Sequence, residues 1–183
     1  MSTSTLVPPG NSVQTPADDP VLVIPRTFDA PRALVYKCYT QPEHMVHFWG
    51  PHGSTTPVCE VDLRPGGLWR TVMRFADGSE YGYASVYLEI VPPERLVWRD
   101  VPNDWEGGLD GLPPVQIHST LALDDEEGKT RVTVTVRFNS IAERDENVRR
   151  GFVGMVTASN ERLADYLEGL ITWRDDPLEA AKS

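Results

Sequence analysis

Three of the four histidines, His44, His47 and His52, crowd into the string HMVHFWGPH, so they are the first side chains to weigh as metal ligands or proton carriers. A spacing of three sets His44 and His47 on neighbouring helical positions, and imidazole is a common ligand. A metal site needs a third ligand held in place. His52 lies beyond the Gly50-Pro51 turn, which leaves its direction free, so surface histidines are expected and no metal is assigned. His118 stands between Ile117 and Ser119. With Ile117 and Leu121 facing a core it faces water, and a lone histidine is a general base only with a cleft and a partner. Glu60 and Glu89 interrupt apolar runs. A carboxylate inside a cavity would have a raised pKa and could act as acid or base. Alternation instead sets Glu89 opposite Leu88 and Ile90, where a cross-strand pair with Arg70, Arg74 or Arg99 is expected. The chain has no GxSxG, phosphate loop, HExxH or CxxC motif, and no catalytic residue or cofactor is assigned.

The aromatic residues point to binding. Trp69, Thr71, Met73 and Phe75 share one face of a β-like run, while Arg70, Val72 and Arg74 share the other. Aromatic side chains can wall a cavity and stack on a planar guest. Near the C-terminus Gly151, Gly154 and Ala158 form a small-residue stripe, which means either close packing or a void. A void costs about 24 cal/mol per Å³ unless filled. The candidate ligand contacts are Trp49, Trp69, Met73, Phe75, Tyr83, Trp98, Phe152, Met155 and Ser159, with an opening expected between the terminal helix and the loops around Trp49 and Trp105.

The elements that must hold these residues follow from local signals. Val21 begins a first strand. Asp29 and Pro31 suit the start of a helix, and Thr40 is expected to cap a second short helix that ends at Gly50-Pro51. Strand-like runs follow at Thr56 to Leu63, Leu68 to Phe75, Glu80 to Val91, Arg95 to Asp100, Val115 to Leu123 and Thr130 to Phe138, with Asp77-Gly78 marking a hairpin. A long loop from Val101 to Pro114 carries Trp105, and loops of that length are often functional. Val148, Phe152, Met155, Ser159, Leu163, Tyr166 and Leu170 then recur on one face of a helix of about 25 residues. The fold class is α+β: a curved antiparallel sheet of about six to seven strands covered by the terminal helix, with two short helices between the first two strands. Residues 1–19, rich in Ser, Thr, Pro and Asp, are expected to be a disordered leader, 20–172 a single domain and 173–183 a flexible tail.

Charge narrows the partners. The formal net charge is -10, from 27 acidic and 17 basic residues, which argues against a nucleic-acid backbone or an anionic membrane as partner. Cys38 and Cys59 are expected to be reduced core thiols. No apolar run approaches the ~20 residues of a membrane span, and no signal peptide is visible, so a cytoplasmic setting is expected.

The strings APRALVYKCYTQPEHMVHFWGP, VCEVDLRPGGLWR and YLEIVPPERLVW resemble the SRPBCC superfamily, and more narrowly proteins similar to the C-terminal domain of the activator of the heat-shock-protein-90 ATPase. The resemblance spans Val21 to Leu170 and implies a helix-grip fold, a curved sheet wrapped around a long C-terminal helix with a cavity between them. It departs at Ser159, where the family pattern carries tryptophan; an inward Ser159 would enlarge the cavity or add a hydroxyl. Members of such families bind lipids, hormones or polyketides, act as cyclases, or assist the chaperone. The expectation is therefore a binder of a hydrophobic or amphipathic small molecule. The alternatives are a cyclase or hydrolase using Glu89, His118 or a tyrosine, and a chaperone cofactor; a homodimer through sheet edges is possible. The enzyme alternative requires an inward ionisable group without a salt-bridge partner.

Overall fold

The structure, a computed structural model, describes residues 12–113 and 117–174, the last two by backbone alone. Its elements are β1 (Val21–Phe28), α1 (Arg32–Thr40), α2 (Pro42–Met45), β2 (Thr55–Val61), β3 (Leu68–Arg74), β4 (Glu80–Val91), β5 (Arg95–Val101), β6 (His118–Glu126), β7 (Lys129–Arg137), α3 (Ile141–Arg149) and α4 (Phe152–Arg174). One antiparallel sheet runs β1-β7-β6-β5-β4-β3-β2. From β2 to β7 it is a meander of neighbours. β1 and β2 occupy opposite edges, so the chain between them must cross the whole sheet, and α1 and α2 make that crossing. The fold is α+β of the helix-grip type, with α4 lying across the concave face.

Local chemistry explains the strand ends. At the β3–β4 turn, Gly78 takes φ 83°, a left-handed conformation that glycine adopts without a Cβ clash. Asp77 stabilises the turn by accepting from the Ser79 amide at 2.9 Å and its hydroxyl at 2.6 Å. β6 runs further than its apolar pattern implies, to Glu126, and turns through Glu127 and Gly128, both at positive φ. Asp124 and Asp125 therefore lie in a strand rather than a turn. The start expected for this strand, at Val115, lies outside the described residues.

The two expected helix caps are not made. Asp29 lies ahead of the Pro31 N-cap and faces Lys129 Nζ at 3.7 Å. Thr40 closes α1, its hydroxyl donating to the Tyr36 carbonyl at 2.8 Å, and Gln41 is the N-cap of α2. The cap that does form is Ser140, which accepts from the Glu143 amide at 3.1 Å while Glu143 accepts from the Asn139 amide at 2.9 Å. This is nearly the reciprocal box read from a Ser-x-x-Glu string. The expected single terminal helix is broken between α3 and α4, where Gly151 takes φ 93°. The spacing from Val148 to Phe152 hides the break, because four residues also separate neighbours on a continuous helix.

Residues 14 to 19, expected to be disordered, are fastened to the domain. Gln14 exchanges two 3.0 Å backbone hydrogen bonds with Val23. Arg144, only 4% exposed, donates to the carbonyls of Pro16 and, at 2.7 Å, Asp19. Asp19 also pairs with Arg137 at 2.8 Å. Residues 1–11 lie outside the described residues, as do 175–183 of the expected tail; α4 runs through residue 174.

Burial divides into three clusters. The main one joins α1, the Met45–Phe48 segment, the concave sheet face and Leu163 and Leu167 of α4. A second packs Leu22, Ile24, Val136 and Phe138 against Val148, Phe152 and Val156. The third lies on the convex face: Ala84, Val86 and Val101 under Trp105 and Leu112 of the long loop. The sheet is therefore covered on both sides over β4 and β5. Among the described residues no helix is long and apolar enough to cross a membrane.

Candidate functional site

Period-two alternation sends one face of each strand inward, and between that face and α4 lies a cavity of about 450 Å³. β3 contributes Trp69 and Met73, with Phe75 just beyond it. Tyr83 and Tyr87 come from β4, Leu96, Trp98 and Asp100 from β5, Leu121 from β6, and Val134 and Val136 from β7. Phe152, Met155, Ser159 and Asn160 of α4 form the opposite wall, and Trp49 closes the side near α2. The structure thus brings all of the candidate ligand contacts around one space.

Exposed Tyr81, Arg150 and Gly151 among the lining residues set the opening between the β3–β4 hairpin and the α3–α4 corner. The expected opening beside Trp105 is not found. Trp105 packs on the convex face, and its carbonyl accepts from Arg70. Of the small-residue stripe only Gly151 borders the void, at its mouth. Gly154 is exposed, and a Cβ there would touch nothing within 4 Å. Ser159 does face inward, and its hydroxyl is engaged, donating to the Phe48 carbonyl at 3.0 Å.

Trp69 is the hub of the aromatic wall. Its ring meets Trp49 at 4.6 Å and both Tyr83 and Trp98 at 5.5 Å, all edge-on, and stacks with Tyr87 at 6.3 Å. Such edge-to-face contacts add to the burial of the rings and fix their planes. The WGP turn carrying Trp49 is fastened from α4 by Arg162, which donates to the carbonyls of Gly50 at 3.0 Å, Pro51 at 3.1 Å and His47 at 3.0 Å. Gly50 is required there: its φ is 99°, and a Cβ would come within 2.7 Å of Ser54 Oγ and 2.9 Å of Met73 Sδ.

One polar chain enters this wall. Trp98 Nε1 donates to the Tyr83 hydroxyl at 2.9 Å, and that hydroxyl donates to Asp100 Oδ1 at 2.7 Å. Asp100 has no ion-pair partner among the described residues. Burial pushes its carboxyl up to about 6, with the Tyr83 hydrogen bond pulling the other way. Tyr83 itself is held well above the usual tyrosine value, by burial first and then by the charge of Asp100. Asp100 was missed from sequence, although Leu96, Trp98 and Asp100 alternate on one face.

The residues weighed first for chemistry lie elsewhere. Glu89 is exposed and pairs with Arg95 at 2.5 Å, not with Arg70, Arg74 or Arg99. A register slip between Tyr87 and Glu89 turns it toward its own hairpin. His118 faces away from the cavity but is half-buried rather than open to water. Burial lowers its pKa, and Arg99 and Arg137 add to the effect. Glu60 is exposed opposite Arg70. His44 Nδ1 lies 2.8 Å from the Tyr166 hydroxyl, the His47 ring stacks on Tyr166 at 4.7 Å, and His52 Nε2 meets Glu161 at 2.9 Å. These histidines tie the α2 segment to α4, and no metal-binding group of His, Cys, Asp and Glu occurs among the described residues. Cys38 and Cys59 are free thiols, pushed up by burial to about 12 and about 11 respectively.

With this geometry in view, the sequence profile of the family described as activator of Hsp90 ATPase homolog 1-like protein matches residues 29–168, well over half of the chain. The chain belongs to this family. Among solved structures, this member of the Hsp90-activator-like family is similar to a Nitrosomonas europaea protein at 26% identity, with a TM-score of 0.73 over 85% of this chain and 99% of that one. A Rhodobacter sphaeroides protein shares the fold at 19% identity, with a TM-score of 0.74 over 87% and 99% of the two chains. So does a Silicibacter pomeroyi protein described as AHSA1, at 20% identity and a TM-score of 0.62 over 81% and 97%. Comparison of this family member with curated proteins gives no match.

Proposed function

We propose that the chain binds a hydrophobic or amphipathic small molecule between its sheet and α4. The observation that supports this reading is the cavity itself, about 450 Å³ left unfilled within a wall of tryptophan, tyrosine and aliphatic side chains and open at one end. Ligand sites are typically ~300–1,000 Å³, apolar, and supplied with a few convergent polar groups. A domain needing only a stable core would gain by filling such a space. Membership of the fold family does not by itself select a ligand. The test is a thermal-shift screen of lipids, aromatic polyketides and flavonoids, with native mass spectrometry of the purified protein. A saturable shift with one guest per chain is expected; no shift from any compound and no co-purified mass would count against the reading.

A second reading, an enzyme moving a proton in the same cavity, is favoured by Asp100. It is an inward carboxyl without an ion-pair partner among the described residues, and it titrates at about 6, near the range where a general base is effective. In that case Asp100→Asn removes turnover while leaving guest binding in place.

A further inference from the structure

We propose that the guest of this cavity is an organic amine, its protonated nitrogen docked on Asp100 and its carbon body laid along the aliphatic wall. This deepens the binding reading and rests on it. Only one oxygen of Asp100 is occupied, by the Tyr83 hydroxyl at 2.7 Å. The other has no donor among the described residues. Of the donors nearby, Trp98 Nε1 gives its proton to Tyr83 and Tyr83 gives its own to Asp100, while Ser85, opposite Asp100 in the ladder, has a buried hydroxyl without a partner but carries no charge. Arg150, at the opening, is held by Glu146 at 2.7 Å, and Arg149 shares the same carboxylate. The sheet wall of the cavity therefore carries a carboxylate with no compensating cation.

A partly buried unpaired charge is costly, and a ligand ion that pairs with it recovers much of that cost. An anionic head group would meet repulsion at Asp100, and a neutral hydroxyl would satisfy the geometry but leave the charge. A protonated amine meets both requirements. Trp98, Trp69 and Tyr83 line the same cavity as the carboxyl, and an aromatic surround favours a cation further. The net charge of -10 draws cations toward the protein as a whole.

The experiment compares decylamine, decanol and decanoate, kept below their micelle concentrations, by quenching of tryptophan fluorescence. On the native chain the amine should bind at least about tenfold tighter than the alcohol, and decanoate weakest. Asp100→Asn should remove the preference while leaving the alcohol's affinity within about threefold. Tyr83→Phe keeps the charge and frees the second oxygen, so it should keep the preference; it serves if Asp100→Asn does not fold. Amine and alcohol binding equally to the native chain would overturn the amine proposal while leaving the binding reading intact. Failure of all three to bind would overturn both.

Discussion

Replacing Asp100 by asparagine should stabilise the free protein at neutral pH and do nothing for it in acid. Burial places the Asp100 carboxyl at about 6 in the folded chain, against roughly 3.9 for an unperturbed aspartate. Between these values the folded state holds a proton that the unfolded state has released, so stability falls as pH rises through this window. Below about 4 both states are protonated and the group contributes nothing. Above about 6 both are ionised and the full penalty applies. At ~1.36 kcal/mol per pH unit the penalty reaches about 3 kcal/mol, an upper figure because the site opens toward solvent. Asparagine keeps an oxygen to accept from Tyr83 and carries no charge, so it removes the penalty and retains the hydrogen bond. Urea unfolding of the native chain and Asp100→Asn, measured from pH 4 to pH 8, isolates the effect, since all other titrations cancel in the difference. The variant's advantage should grow from near zero at pH 4 to about 1–3 kcal/mol at pH 7 and then level off. An advantage that is flat across this range would refute the reasoning.

Three other perturbations test the site's frame. Gly50→Ala must strain φ 99° and push aside Ser54 Oγ and Met73 Sδ; a loss of about 1–3 kcal/mol is expected in chemical denaturation. Arg162→Ala removes four carbonyl contacts at the WGP turn and His47 and should cost about 2–3 kcal/mol, with Arg162→Lys recovering only part because an ammonium lacks the planar fork. Met155→Trp places an indole in the cavity, so guest binding measured by thermal shift should fall at least about tenfold while the free protein's melting temperature changes little.

Much of the cavity wall was legible because period two is a strong signal. Trp69, Met73 and Phe75 declare one face of β3 whatever the rest of the chain does. Asp100 was hidden although it obeys the same rule, because a carboxylate next to Arg99 reads as a solvated strand end until the neighbouring strands bury it. Glu89 was given the wrong arginines because the bulge at Leu88 leaves no mark in the sequence. Trp105 was placed at the opening because no local pattern says which face of a sheet a loop will fold over. The helix break was missed because Gly151 falls where the apolar spacing continues unbroken. Asp29 and Thr40 are good capping residues in isolation, but Pro31 and Gln41 hold the capping positions, and only the backbone path decides that.

The route of the sheet has a consequence for how the chain is made. β1 is synthesised first, yet its strand partner among the described residues is β7, the last of these strands to emerge. Every intervening strand can find its neighbour soon after leaving the ribosome, whereas Leu22 and Ile24 must remain without their pairing surface until Val134 and Val136 arrive. Contacts so distant in sequence form late and slowly. A nascent chain halted before Lys129 would therefore display an unpaired apolar edge, and that is the stage at which this protein most needs shielding from its own kind.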